Sequence, residues 1–373
     1  MRQLDKKKKE PFIHITKRKE ISLQHEWAIR LGAILLALIL CALLTTLMTH
    51  LNPISVYATM WEGSFGSERK IWALLKELSI LLMVSVALAP SFKMKFWNLG
   101  GEGQVLAGVL ATSACMITLG SKMGSGSVIL ISLVAALVAG AFWAFIPAFF
   151  RAKWNTNETL FTLMMNYVAM QIVAYFIIRW ESPKGSGKVG IINPDSKIGW
   201  LPSIAGKQYF LVVLVAILVT IVMYIYLKYS KHGYELSVVG ESENTARYVG
   251  INVPKVIIRT LIVTGLICGL TGWLLVASTD HTITTTLAGG RGFLGVMVAW
   301  LAHFNPIGML LSGFLIVFMS KGTSEISMAF SLNRSFGDII TGVILFFVIG
   351  SEFFINYQVH FRKSSSGKEV ADA

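Results

Sequence analysis

Eight stretches of this chain stay apolar for about the length a bilayer demands. They cover residues 28–49, 71–89, 98–119, 127–150, 157–178, 208–227, 257–277 and 336–356. A helix needs about 20 predominantly apolar residues to cross the hydrocarbon core. A further apolar stretch is broken. It runs from Gly292 to about His303, meets Asn305-Pro306, and continues to Ser320. Each half is shorter than a full span, so the pattern predicts a pair of short helices around a tight Asn-Pro turn. The expected fold is therefore all-α: a polytopic membrane protein of about ten transmembrane helices. Composition agrees, since 54% of residues are hydrophobic and only 14% charged. That excludes a soluble enzyme, a disordered chain and a disulfide scaffold. Cys41, Cys115 and Cys268 lie singly inside apolar runs, where thiols act as small hydrophobes.

The net charge of +13 would point to nucleic acid in a soluble chain, but in a membrane protein it carries topology. Nine Lys/Arg fall within residues 1–30, among them Lys6 to Lys9 and Lys17-Arg18-Lys19. With the N-terminus inside, 20 of the 33 basic residues fall on the cytoplasmic side. Both termini are thus expected in the cytoplasm, with no nucleic-acid partner. The first apolar run follows 27 residues and has no small-residue cleavage site behind it, so it is expected to remain as an anchor. Three parts follow: a basic cytoplasmic segment 1–27, a membrane domain 28–357 and a cytoplasmic tail 358–373. Within the membrane domain, an outer loop spans 179–207 and an inner loop 228–256. The inner loop predicts a short helix, with acidic residues at its start and Gly250 after its end.

Enzyme motifs are missing. Gly185-Ser186-Gly187-Lys188 has the tail of a phosphate-binding loop, but Ser182 and Val189 stand where that motif needs Gly and Ser/Thr. The seven histidines form no H-x-x-x-H pair, and there is no nucleophile elbow.

Polar groups at membrane depth are costly unless they face an interior or water, so they are the candidate functional residues. In Asn98-Leu99-Gly100-Gly101-Glu102-Gly103-Gln104, Asn98 and Glu102 share a helix face and Gln104 points elsewhere. Two readings are open: a loosened segment that presents polar groups to a transport path, or a helix start with capping side chains. Glu158, Thr162 and Asn166 form an i, i+4, i+8 stripe. Asn166 either bonds a neighbouring helix or contacts cargo. Lys76-Glu77 reads as a local pair, and Gly265, Gly269 and Gly272 as a close-packing face.

With these residues in view, the chain resembles the permease subunits of ABC importers in the branched-chain amino acid, ribose and nucleoside group. Residues 98–104 look like the N-x-G-x-E-G-Q segment of the nucleoside and simple-sugar branch. Asn157-Glu158 through Met164-Met165-Asn166-Tyr167 resembles that branch's fifth span. Asn244 to Val253, Gly290-Arg291-Gly292-Phe293-Leu294-Gly295-Val296 and Asn305-Pro306-Ile307-Gly308 are similar to the family's C-terminal half. The likeness covers roughly residues 30–357 and departs from the family at Arg291.

The resemblance implies a transport subunit of the bacterial plasma membrane with no ATPase of its own. It binds no cofactor; ATP and magnesium belong to a partner ABC ATPase subunit. It implies a second permease subunit, a paralogue ahead of a second copy, and a substrate-binding lipoprotein. The inner-loop helix at about 241–249 would couple to the ATPase, through Glu241, Glu243, Arg247 and Tyr248. Asn98, Glu102, Gln104, Glu158, Thr162 and Asn166 are the residues expected along the substrate path. The expected cargo is a nucleoside or related small riboside. The alternatives are sugars or branched-chain amino acids on the same kind of permease, or a proton-coupled transporter using Glu102, Glu158 or Asp338.

Overall fold

The computed structural model describes residues 13–18, 22–204 and 206–361. In chain order they form β1 (Ile13–Lys17), α1 (Leu23–Thr49), α2 (Pro53–Phe65), α3 (Glu68–Lys93), α4 (Gly101–Leu119), α5 (Ser125–Trp154), α6 (Glu158–Trp180), α7 (Phe210–Tyr229), α8 (Lys231–Glu241) and α9 (Glu243–Tyr248). There follow α10 (Val253–Leu274), which ends in a π-helical turn Leu275–Asp280, then α11 (Arg291–Leu301), α12 (Pro306–Ala329), α13 (Arg334–Asn356) and β2 (Tyr357–Phe361). Among the described residues, nine helices are long and apolar enough to cross a membrane, and α11 is a shorter apolar helix. The protein is an all-α, multi-pass membrane protein.

Three elements depart from the expectation. The two helices around Asn305-Pro306 are not both short: α11 has 11 residues, but α12 has 24. The apolar run breaks at Lys321, yet the helix continues, because Lys321 Nζ lies 3.6 Å from a Glu77 carboxylate oxygen. The turn itself places His303 and Phe304 in left-handed conformations, and Asn305 Oδ1 accepts from Ile307 N at 3.1 Å. The second departure is α2, 13 residues in a stretch that reads as a loop. The third is the antiparallel pair β1–β2, with Ile13 opposite Phe361 and Lys17 opposite Tyr357. This pairing lays the two ends of the described chain side by side. The residues of segments 1–27 and 358–373 before Ile13 and beyond Phe361 lie outside the described residues.

The chain divides into two compact units, Ser64–Lys321 and a unit built from Met1–Gly63 with Gly322–Ala373. In the second, α1 and α13 are tied by Arg30, which bonds Glu352 at 2.8 Å and Glu26 one turn away at 2.9 Å. Tyr57 Oη donates to Leu38 O at 2.5 Å and fixes α2 to α1.

In the larger unit α10 is the central helix, packed on α3, α4 and α5. The expected glycine face is what allows this. A Cβ on Gly265 would meet Gly140 O of α5, and one on Gly108 of α4 would meet the backbone of Gly269. Backbones this close bring small residues and helix dipoles together with no side chain between. Around the seam, Leu88, Leu106, Val109, Cys268 and Leu274 are fully buried, and Trp273 Nε1 donates to Ser132 Oγ at 3.0 Å.

Overpacking a tight seam costs about 1–3 kcal/mol. Gly265→Ala is therefore expected to lower the melting temperature of the purified protein in detergent. Gly32→Ala in α1, where an added Cβ meets nothing within 4 Å, leaves it unchanged or raises it. Equal melting of the two variants would refute the seam.

Candidate functional site

The first turns of an α-helix leave backbone N–H groups without a partner in the helix, and in α4 these groups are buried. Side chains of α6 and the segment before α4 satisfy them. Asn166 Oδ1 accepts from Gly103 N at 2.8 Å, and its Nδ2 donates to Leu99 O at 2.8 Å. One turn earlier on α6, Thr162 Oγ1 accepts from Leu99 N at 3.1 Å. Asn98 Oδ1 accepts from Gly100 N at 3.0 Å and from Gln104 Nε2 at 3.3 Å. Position 103 must be glycine, because a Cβ there would lie 3.0 Å from Asn166 Oδ1 and 2.9 Å from Trp143 Nε1. Asn98 Nδ2 and Gln104 Oε1 are buried and find no hydrogen-bond partner among the described residues.

Glu102 faces the other way and serves another helix. Its Oε1 accepts from Gly290 N and its Oε2 from Gly292 N, both at 2.9 Å. A carboxylate on the N-terminus of α11 meets both the unpaired amides and the positive end of the dipole. Gly292 allows the approach, since a Cβ there would sit 3.0 Å from Glu102 Oε2. α11 thus starts on a buried carboxylate and runs beside α3, where Gly295 packs on Val84 and Ser85. The structure therefore brings together Asn98, Glu102, Gln104, Thr162 and Asn166, all buried, in one hydrogen-bonded hub joining α4, α6 and α11.

Glu158 does not join this hub. It lies at the start of α6, 3.5 Å from Arg151 Nε at the end of α5. Arg151 also reaches Glu243 of α9 at 3.5 Å, and Glu243 pairs with Arg247 at 3.6 Å. Arg151, Glu243 and Arg247 border a polar cleft of about 820 Å³, to which Lys153, Asn155 and Asn252 also contribute. The expected inner-loop helix is α9, shorter than its predicted bounds. Its predecessor α8 was not legible as a helix. Gly240 sets α8 directly on the backbone of Lys93 and Met94 at the end of α3. Glu235 of α8 bonds Arg259 at 2.8 Å, and that bond holds its carboxyl below the ordinary range. On α9, Ala246 is buried while Tyr248 is 92% exposed; Arg247 is exposed too, as is Glu241 at the end of α8. The short helix is anchored by one side and offers the other to solvent.

Arg291, the departure from the family pattern, has its charge matched. Its Nη2 donates to Glu77 Oε2 at 2.6 Å and its Nη1 to the carbonyls of Leu287 and Ala288 at 3.1 and 3.2 Å. Lys76 pairs with Glu77 at 3.2 Å, as its sequence position suggests. The long-range member of this cluster, Arg291, could not be read from spacing.

The loop 179–207, expected on the outer side, is ordered by its own polar groups. Gly185 N and Gly187 N both donate to the Glu181 carboxylate at 2.9 Å, so the glycines of the phosphate-loop look-alike hold a carboxylate of the same loop. These bonds hold the Glu181 carboxyl below its ordinary value of 4.5. Trp200 stacks on His281 with ring centroids 3.7 Å apart, while Ile192 N donates to His281 O and Leu201 N to Ala277 O, both at 2.8 Å. The loop is thereby fixed over the π-helical end of α10.

With Thr162 and Asn166 turned inward, α6 points another polar set outward: Tyr167, Gln171 and Tyr175. The same i, i+4, i+8 spacing that marked the inner stripe marks this one, but aromatic residues hid it among apolar neighbours.

A family profile described as "Branched-chain amino acid transport system / permease component" matches residues 71–349. The chain is similar to the glucose ABC transporter permease protein TsgB13 of Haloferax volcanii, with 26% identity over 87% of this chain and 88% of that protein. It is similar to the guanosine ABC transporter permease protein NupP of Bacillus subtilis, with 27% identity over 86% of this chain and 92% of that protein. The nucleoside ABC transporter permease protein NupB of Lactococcus lactis is 24% identical over 80% of this chain and 84% of that protein. Among the described residues, no group of three or more His, Cys, Asp or Glu could hold a metal ion.

Two outcomes are expected. Asn166→Leu strands the buried Gly103 N–H of α4, at about 1–3 kcal/mol, and leaves the Leu99 carbonyl just before α4 without its donor. It should lower thermal stability in detergent, where a residue that only touched cargo would leave melting unchanged. For Glu181 the lowered pKa fixes the sign: the loop is ordered above the carboxylate range and loosens as pH falls through the lowered value. Protection of the Gly185 and Gly187 amides against hydrogen exchange, relative to the intrinsic rate at each pH, should fall on acidification below pH 4.5, and the Glu181→Gln variant should lose that pH dependence.

Proposed function

We propose, from the premise that this chain belongs to the branched-chain amino acid transport system / permease component family, that it is the membrane-spanning subunit of an ATP-driven ABC importer. It works in the cell membrane beside a second permease subunit, a paralogue or another copy. An ATPase subunit that binds ATP and magnesium docks from the cytoplasm, and an external binding lipoprotein delivers cargo to the outer loop. The cargo is a nucleoside or a simple sugar; permeases similar to this one are named for both.

The observation that carries this reading is α9. It is a short amphipathic helix, buried at Ala246 and bare at Arg247 and Tyr248. A surface held by the membrane body yet presenting an Arg and a Tyr has the composition of an interface hot spot. Motion at α9 also has a contiguous route inward. Glu243 meets Arg151, Arg151 meets Glu158, and Glu158 O accepts from Thr162 Oγ1 at 2.7 Å. Thr162 in turn holds Leu99 N in the hub that positions Glu102 and α11. We assign this chain of contacts the task of transmitting ATPase movement to the membrane interior. A proton relay through Glu102 fits poorly, because both of its oxygens are committed to backbone amides.

In proteoliposomes containing the whole complex, uptake is expected to require the ATPase and ATP and to survive a protonophore. Uptake by this chain alone, abolished by the protonophore, would overturn the importer reading. Arg247→Glu should reduce ATPase co-purification and transport while leaving the melting temperature unchanged. Unaltered co-purification and uptake would remove α9 from the ATPase interface.

A further inference from the structure

The outward faces of three neighbouring spans differ in chemistry. On α5 the outward residues along the middle of the helix include Val134, Val138 and Phe142; on α7 they include Leu214, Leu218 and Ile221. Those faces are all hydrocarbon, as lipid contact requires. On α6 the corresponding positions are Tyr167, Gln171 and Tyr175, with the tyrosines 55% and 61% exposed. They fall at positions 10, 14 and 18 of a 23-residue helix, more than one turn from either end, and span about 12 Å of it at 1.5 Å per residue. They line a shallow groove of about 430 Å³ with Val168 and Ile172 between them. Among the described residues, none forms a hydrogen bond with either phenol oxygen or with the Gln171 amide.

An amide and two hydroxyls inside a span, turned away from their own chain, are costly against hydrocarbon; polar groups there face a bundle interior or water. We infer that the Tyr167–Gln171–Tyr175 face of α6 lines the substrate path and determines its selectivity, for cargo that is a neutral ring compound bearing hydroxyl groups. This rests on the importer reading above. The chemistry selects the cargo class. The two phenol rings give apolar faces against which a base or a sugar ring stacks, and their hydroxyls, with the amide, give donors and acceptors. From Thr159 to Ile178 the helix carries no ionisable acid or base other than the tyrosines. The ammonium and carboxylate of an amino acid would therefore find no counter-charge on this face. Nucleosides and sugars need none.

The experiment uses the assembled complex with Cys41, Cys115 and Cys268 replaced by Ala. Cysteine is then placed at Tyr167, Gln171 or Tyr175, and at the lipid-side controls Val134 and Leu218, and a water-soluble methanethiosulfonate ammonium reagent is applied. Modification of the three α6 positions, silence at both controls, and protection by adenosine or glucose but not by leucine is the expected result. In uptake assays with the same panel, Gln171→Leu should lower transport of the protecting compound about five- to tenfold, the loss of one net hydrogen bond, with ATPase co-purification unchanged. Silence at all three α6 positions would make this a lipid face and overturn the inference. So would cross-linking of Gln171→Cys to the second permease without reagent access, which marks a subunit seam. Protection by leucine alone would overturn the cargo class. The labelling needs no transport, so its failure is separable from failure of the importer reading, which shows as no ATP-dependent uptake of any panel member in the cysteine-free parent.

Discussion

A buried carboxylate holds the centre of this membrane protein together. Glu102 accepts hydrogen bonds from Gly290 N and Gly292 N, and so satisfies the first amides of α11, one of them on the buried Gly292. A half-length helix in a membrane protein is tolerated only if its exposed end is satisfied by protein or lines a cavity. The same few residues solve the same problem for α4, whose opening amides and carbonyls are taken by Thr162, Asn166 and Asn98. Two helix starts are thus capped back to back, and the glycines at 103 and 292 let the capping side chains approach.

Charge elsewhere in the membrane domain follows the same economy. Arg291, one residue past the first capped amide, is drawn to Glu77 of α3 together with Lys76 and Lys321. Because α11 is pinned at Gly290 and Gly292 by Glu102 and at Arg291 by Glu77, its start is held from two sides by acids of two different helices. At the end of α5, Arg151 plays the corresponding part, reaching acids at the starts of both α6 and α9. These contacts are few and long-range, and they connect the solvent-facing helix α9 to the interior hub through covalent and hydrogen-bonded steps. The importer reading draws on that continuity.

Much of the site was legible as residues but not as roles. The segment 98–104 and the stripe Thr162–Asn166 stand out because polar groups are rare in apolar runs, and the structure does bring them together. Their partners were hidden, because spacing alone gives no sign that an α6 amide spans Leu99 O and Gly103 N. Glu158 shares the stripe's period yet belongs to another cluster, since it sits at the helix end within reach of Arg151. The outward trio on α6 was masked for the opposite reason: tyrosine counts as apolar in a hydropathy scan although its hydroxyl does not behave so. α8 was obscured by Gly233 and Gly240, which read as breakers; Gly240 is instead the point where the helix touches the backbone of α3.

By itself the sequence determined that this chain is an all-α membrane body, roughly where each span lies, and which polar residues sit at membrane depth. Those follow from local quantities, the length of an apolar run and the cost of leaving a backbone group or a charge in hydrocarbon. Only the tertiary structure decided which face of each helix turns inward, that α12 runs on through Lys321 as a full span, and that Glu102 and Asn166 cap helices. Those outcomes depend on pairings between residues about 60 to 250 positions apart, and no local pattern encodes the partner at the other end of a hydrogen bond.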